Sequence, residues 1–168
     1  MIVLGIDPGV RKCGYAVVDF SESMPRILDA GIVLNEINTK IKRSDYYERM
    51  SQISIFFEEL LNTYAINQVV VEKLFFTTHN QSNAEFVYGM RGICMMMIHR
   101  RGIPIAEYTP LQLKKTITWN GKASKELVQS VVVRLYHLTH VPEWDDAADA
   151  LGLCRMWRVK KPPLEERL

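Results

Sequence analysis

The stretch Val3–Asp19, VLGIDPGVRKCGYAVVD, decides the fold. An apolar run, VLGI, ends in a single carboxylate, Asp7, and Pro8 and Gly9 follow at once; branched and aromatic residues then resume in CGYAVVDF. Two β-rich runs on either side of a Pro-Gly turn predict an antiparallel hairpin. A strand inside a core wants apolar residues throughout. An acid at its last position is therefore solvated in a turn, paired, or holding something cationic.

Outward from the hairpin, RILDAGIVLN offers a third strand. SDYYERMSQISIFFEELLNTY, from Ser44 to Tyr64, places Tyr47, Met50, Ile53, Phe57, Leu60 and Leu61 at helical spacing and predicts an amphipathic helix. NQVVVEKLFF reads as a buried strand that again ends in an acid, Glu72. The polar link TTHNQSN leads into a long helix from Ala84 to Arg100, and IPIAEY is a short strand after Gly102. The last third is helical: TPLQLKKTI, SKELVQSVVVRLYHL after an Asn-Gly turn, and DDAADALGLCRMW after Pro142. A three-strand meander followed by alternating helices and strands predicts an α/β fold, a mixed sheet with helices on both faces. Open α/β sheets carry their ligands at the carboxyl ends of the strands. One domain is expected over residues 1–158, with a charged, Pro-containing tail over 159–168 that frays.

The 21 Lys and Arg against 19 Asp and Glu leave a net charge of +2, so any nucleic-acid-binding surface must come from local clustering. Cys13, Cys94 and Cys154 are odd in number, widely spaced and without a CxxC pair, which predicts reduced thiols and argues against a disulfide framework or a zinc site. The longest apolar stretch, FVYGMRGICMMMI, is interrupted by Arg91 and is too short to cross a bilayer. With no charged leader before the first strand, a soluble cytoplasmic protein is expected.

Asp7 and Glu72 each close a core strand, and they converge on one sheet edge if those strands are neighbours. In WDDAADALG, Asp146 and Asp149 lie three apart on a helix and share a face, while Asp145 points elsewhere. Taken singly, Asp7 explains itself as a turn cap, and Asp145 and Asp146 as helix-start acids favoured by the macrodipole. Glu72 resists that reading, because it sits between QVVV and LFF in the most apolar neighbourhood of the chain. Four carboxylates aimed at one point repel unless a divalent cation neutralises them, and an all-oxygen set selects Mg²⁺ or Mn²⁺ over zinc.

GIDPGVRKCGYAVVD, VVVEKLFF, MRGICMMMIHRRGIPIAEYTPLQLKK, NGKASKELVQ and DDAADALG, in this order and spacing, resemble the RuvC family of bacterial Holliday-junction resolvases over nearly the whole chain. The resemblance implies an RNase H-like fold with a mixed five-stranded sheet and a homodimer. It also implies cooperation with the RuvA and RuvB branch-migration proteins. Carried over by motif, it implies a catalytic, metal-binding set of Asp7, Glu72, Asp146 and Asp149 that holds two Mg²⁺ ions, with Mn²⁺ also active. The implied reaction is a pair of symmetric hydrolytic nicks in four-way DNA, leaving 5′-phosphate and 3′-hydroxyl ends, in recombination and repair.

Lys114 and Lys125 fall where the family carries basic residues near the scissile phosphate; Lys115 reads as an ordinary solvated lysine. Phe75 matches the position whose ring stacks on an unpaired base at the junction centre, and its neighbour Phe76 reads as core. Arg11, Lys12, Arg91, Arg100 and Arg101 are candidates to extend the basic surface. The helix bearing FVYGMRGICMMMI is apolar nearly all round and is assigned to the dimer interface, since a near two-fold junction is matched by a C2 dimer. Trp119 departs from the family, where a smaller residue is expected. Two other classes compete: one lobe of a sugar-kinase or actin-like ATPase, whose phosphate loop GIDPG resembles, and an RNase H-like nuclease or non-catalytic binding dimer with another substrate.

Overall fold

A computed structural model describes residues 1–9, 12–34, 44–73 and 84–160. Strands β1 (Ile2–Asp7), β2 (Lys12–Asp19) and β3 (Arg26–Leu34) come first, followed by α1 (Ser44–Thr63), β4 (Gln68–Glu72), α2 (Ala84–Arg100) and β5 (Ile105–Tyr108). The chain then continues through α3 (Pro110–Thr118), α4 (Lys125–Tyr136) and α5 (Asp145–Lys160). The strands form one sheet in the order β3-β2-β1-β4-β5. β1 pairs antiparallel with β2 and parallel with β4, and β4 pairs parallel with β5, so the sheet is mixed as expected. The helix expected to end at Tyr64 ends at Thr63, and α5, expected to end at Trp157, runs three residues further to Lys160.

Alternation along the strands divides the core in two. Val3, Ala16, Val18 and Val70 face α3, α4 and α5, whose Leu113, Val132 and Leu151 meet them. Leu4, Ile6, Val17, Val69 and Val71 face the other way, onto Ile53 and Phe57 of α1 and Met90, Cys94 and Ile98 of α2. Tyr47, read as part of the buried α1 stripe, is instead 73% exposed. The three cysteines are free and buried, as their spacing predicts.

α5 is the helix that matters for the site, and small residues let it sit low on the sheet. Three of its turns touch down in sequence, at Asp146, Ala150 and Cys154. A Cβ on Gly14 would stand 2.1 Å from the Asp146 carbonyl oxygen, and one on Gly5 would stand 2.2 Å from that of Ala150. Cys154 Sγ lies 3.6 Å from Ala16 O and 3.7 Å from Val3 O. Only residues without a side chain permit the backbone of α5 to approach β1 and β2 this closely. α4 is in turn tied to α5 by the buried Tyr136 hydroxyl, which donates to Leu151 O at 2.9 Å.

Candidate active site

Asp7 is the last residue of β1 and Glu72 the last of β4. The parallel register pairs Gly5 with Val70 and Ile6 with Val71, so the next step sets Asp7 beside Glu72 on strands about 4.8 Å apart. Asp7 continues the Val3–Gly5 face and Glu72 the Val70 face, so both carboxylates emerge on the side covered by α3, α4 and α5. Across the antiparallel pair Asp7 faces Gly14, and Gly14 carries the Asp146 backbone. The glycine seat thus brings the first turns of α5, with Asp146 and Asp149, to the strand ends that carry Asp7 and Glu72.

Electrostatics show the four acids acting on one another. Burial pushes the Asp7 carboxyl well above its ordinary range, and the charges of Glu72, Asp149 and Asp146 push it further. Glu72 rises to about 7, through burial first and then Asp149 and Asp146. Asp149 rises to about 6, again mainly by burial, with Asp145 and Asp146 adding to it. Asp146, half-buried, is raised by burial and by Asp145. Two lysines work in the opposite direction: Lys125 lowers all four acids and Lys114 lowers Glu72 and Asp149.

Lys125 is the first residue of α4, placed there by the Ser124 cap, whose hydroxyl accepts from Leu127 N. Its ammonium pairs with Asp145. Asp145 thus anchors the lysine whose charge acts on all four acids, a positioning part that sequence reading did not assign; the partners are 20 residues apart on different helices. Lys12 joins the rim. Its ammonium lies 4.0 Å from the Trp144 ring centroid, and its charge lowers Asp146.

Arg91, Arg101 and Lys115 are engaged elsewhere. Arg91 pairs with Glu107 and so ties α2 to β5, while Arg101, one residue past α2, pairs with Glu58 of α1. Lys115 lines a separate cleft on the far side of α3. Arg11 and Phe75, with His79 of the polar link, lie outside the described residues.

Among the described residues no group of three or more Asp, Glu, His or Cys side chains is drawn close enough together to hold a metal ion. The chemistry of the donor set nonetheless suits a hard cation: four partly buried carboxylates from three separate elements, each driven toward its protonated form by burial and by acidic neighbours. A bound cation relieves that cost directly.

The family model described as crossover junction endodeoxyribonuclease RuvC matches residues 3–155. The RuvC of Parasynechococcus marenigrum is 40% identical over 153 residues, which cover 91% of this chain and 95% of that protein. The structure of Thermus thermophilus RuvC in complex with Holliday junction substrate shares 27% identity with a TM-score of 0.83, covering 96% of this chain and 94% of that one. The yeast mitochondrial Holliday junction resolvase Ydc2 shares the fold, with a TM-score of 0.64 at 16% identity over 92% of this chain and 76% of its own. The single-lobe ATPase reading falls with these matches. The mixed five-stranded sheet is the RNase H-like sheet of these resolvases, and the chain belongs to the RuvC family of crossover junction endodeoxyribonucleases.

Proposed function

We propose that this chain resolves four-way DNA junctions by paired hydrolytic nicks, with Asp7, Glu72, Asp146 and Asp149 holding two Mg²⁺ ions in each active site, and with Mn²⁺ able to substitute. The observation that supports this reading is that Asp7 and Glu72 end adjacent strands on the face where the glycine seat sets the first turns of α5, with Asp146 and Asp149, and that Lys114 and Lys125 carry charge toward these acids. When bound, two such ions lower the pKa of an attacking water, polarise the phosphate and stabilise the leaving 3′ oxygen, giving 5′-phosphate and 3′-hydroxyl ends. Asp7 and Glu72, fixed by the sheet, hold the rigid side of the site; Asp146 and Asp149, on the first turns of α5, close it from above. Lys114 and Lys125 face the same space and screen the scissile phosphate, adding a salt-dependent, sequence-independent share of affinity. Phe75, at the head of the segment after β4, is assigned to stacking on a base at the junction centre.

Two cuts related by two-fold symmetry need two sites, and the dimer is assigned to α2. Buried Phe86, Met90, Cys94 and Ile98 fill one side of that helix, while Tyr88 and Met96 remain 46% and 53% exposed in the single chain with Gly92 between them. That stripe suits a second copy of itself. RuvA and RuvB are assigned as partners, and the cytoplasm as the site of action, by family. A cleavage assay on a four-way junction, a plain duplex and an RNA–DNA hybrid, each with and without Mg²⁺, tests the reading. Cutting confined to the junction with Mg²⁺ supports it; equal cutting of the hybrid, or cutting in chelator, overturns it.

A further inference from the structure

The end of α5 remote from the acids carries a cleft of about 670 Å³ between α3, α4 and α5. Ten helical residues separate Asp149 from Val159, about 15 Å along the axis, so the cleft is distinct from the candidate active site. Its floor is apolar, built from Ile117 and Leu135 with the exposed Val159 at its edge, and its rim is cationic, with Lys115, Arg155 and Lys160. Among the described residues that line it there is no acid. One wall is Trp119, the residue that departs from the family pattern.

Trp119 stands out on two counts. Its side chain is 91% exposed, and its backbone takes the left-handed conformation, φ 61° and ψ 5°, at the C-cap of α3. Glycine adopts that conformation freely and is the usual occupant of such a position; a bulky indole is disfavoured there. Neither burial nor capping accounts for a tryptophan at this place. An exposed aromatic over an apolar floor is what an anchoring contact requires.

Charge and polarity together select the occupant. A DNA strand would use the cations and stack on the indole, but it has nothing to fill a floor of Ile117 and Leu135. A peptide with one bulky apolar side chain flanked by carboxylates satisfies floor and rim together. We propose that this cleft docks an acidic segment of a partner protein carrying such an apolar anchor, so that the partner is held without covering Asp7 and Glu72.

The test uses a fluorescein-labelled peptide, Asp-Asp-Glu-Phe-Leu-Glu-Asp-Asp, a control with Phe and Leu replaced by serine, and a labelled 20-nucleotide single strand, read by anisotropy. Glycine suits the backbone of Trp119, so Trp119→Gly keeps the fold; Lys115→Glu combined with Arg155→Glu reverses two rim charges. The peptide is expected to bind the full chain saturably, and the serine control to lose binding. Each variant is expected to weaken the peptide roughly tenfold or more while junction cleavage stays unchanged. Equal binding of the serine control, insensitivity to both variants, or binding of the single strand but not the peptide at Trp119 would overturn the proposal. So would peptide binding that appears only after residues 161–168 are removed, since the chain's own end would then be the occupant.

Discussion

Glu72 is held in a form its surroundings resist. Burial, then Asp149 and Asp146, push its carboxyl up to about 7, against the pull of Lys114 and Lys125. Its folded-state pKa lies above the ordinary 4.5, so the folded chain binds this proton more tightly than the unfolded chain does. The stability that follows is complete below pH 4.5 and is lost as pH rises toward 7. Asp149, raised from 3.8 to about 6, acts in the same direction over a lower window. In chelator, urea denaturation should therefore show wild-type protein losing on the order of 2 kcal/mol relative to Glu72→Gln between the two limits, and Mg²⁺ should shrink that difference. A flat difference across the range would contradict the burial of this carboxylate. At this scale the sequence was informative wherever an acid interrupts an apolar run, as at Asp7 and Glu72. It was silent on Asp145, because its partner Lys125 lies on another helix and nothing local marks the pair.

The element that assembles the site is α5 on its glycine seat. Asp146 and Asp149 reach the strand ends only because Gly14 and Gly5 admit the α5 backbone. Gly14→Ala would put a methyl group against the Asp146 carbonyl, a backbone atom that cannot swing aside. The expected cost is about 1–3 kcal/mol, with a loss of cleavage larger than the stability loss explains, because α5 must lift and carry two carboxylates with it. Thermal denaturation and single-turnover cleavage of the same sample separate the two effects; unchanged cleavage in a destabilised but folded variant would sink this view of α5. The strands and helices themselves were legible from period and punctuation, with ends displaced by up to three residues. The close approach was not, since Gly5 and Gly14 read as ordinary strand residues until their register with α5 is known. Tyr47 erred for a different reason: of two adjacent tyrosines, Tyr46 takes the inward position, its ring 5.0 Å from that of Phe86, and Tyr47 is turned outward.

At the scale of the whole molecule, the two-layer core puts the proposed catalytic acids and the proposed dimer helix on opposite faces of the sheet. α3, α4 and α5 cover the acid-bearing side, and α1 and α2 cover the reverse. The exposed stripe of α2 that runs from Tyr88 past Gly92 to Met96 should close the dimer, so Met96→Glu is expected to shift sedimentation from dimer to monomer at micromolar protein. Nicking by the monomer should lose its pairing, leaving singly cut junctions. A dimer that survives the substitution would place the interface elsewhere. No helix among the described residues is long and apolar enough to cross a membrane, in keeping with the interruption at Arg91. The dimer reading came from composition, an apolar helix with no obvious solvent face, and the single chain leaves part of that helix bare for a partner to cover.

All of these effects rest on the four acids forming one cation-binding unit that cuts DNA and does not itself hold it. Glu72→Gln, which keeps the shape of the side chain and removes only its charge, tests that most directly when Mg²⁺-dependent cleavage and binding of the same four-way junction are measured side by side. The account predicts that cleavage falls by about a thousandfold or more while the dissociation constant changes by no more than about threefold. Continued cutting, or equal loss of cutting and binding in a protein that remains folded, would contradict it.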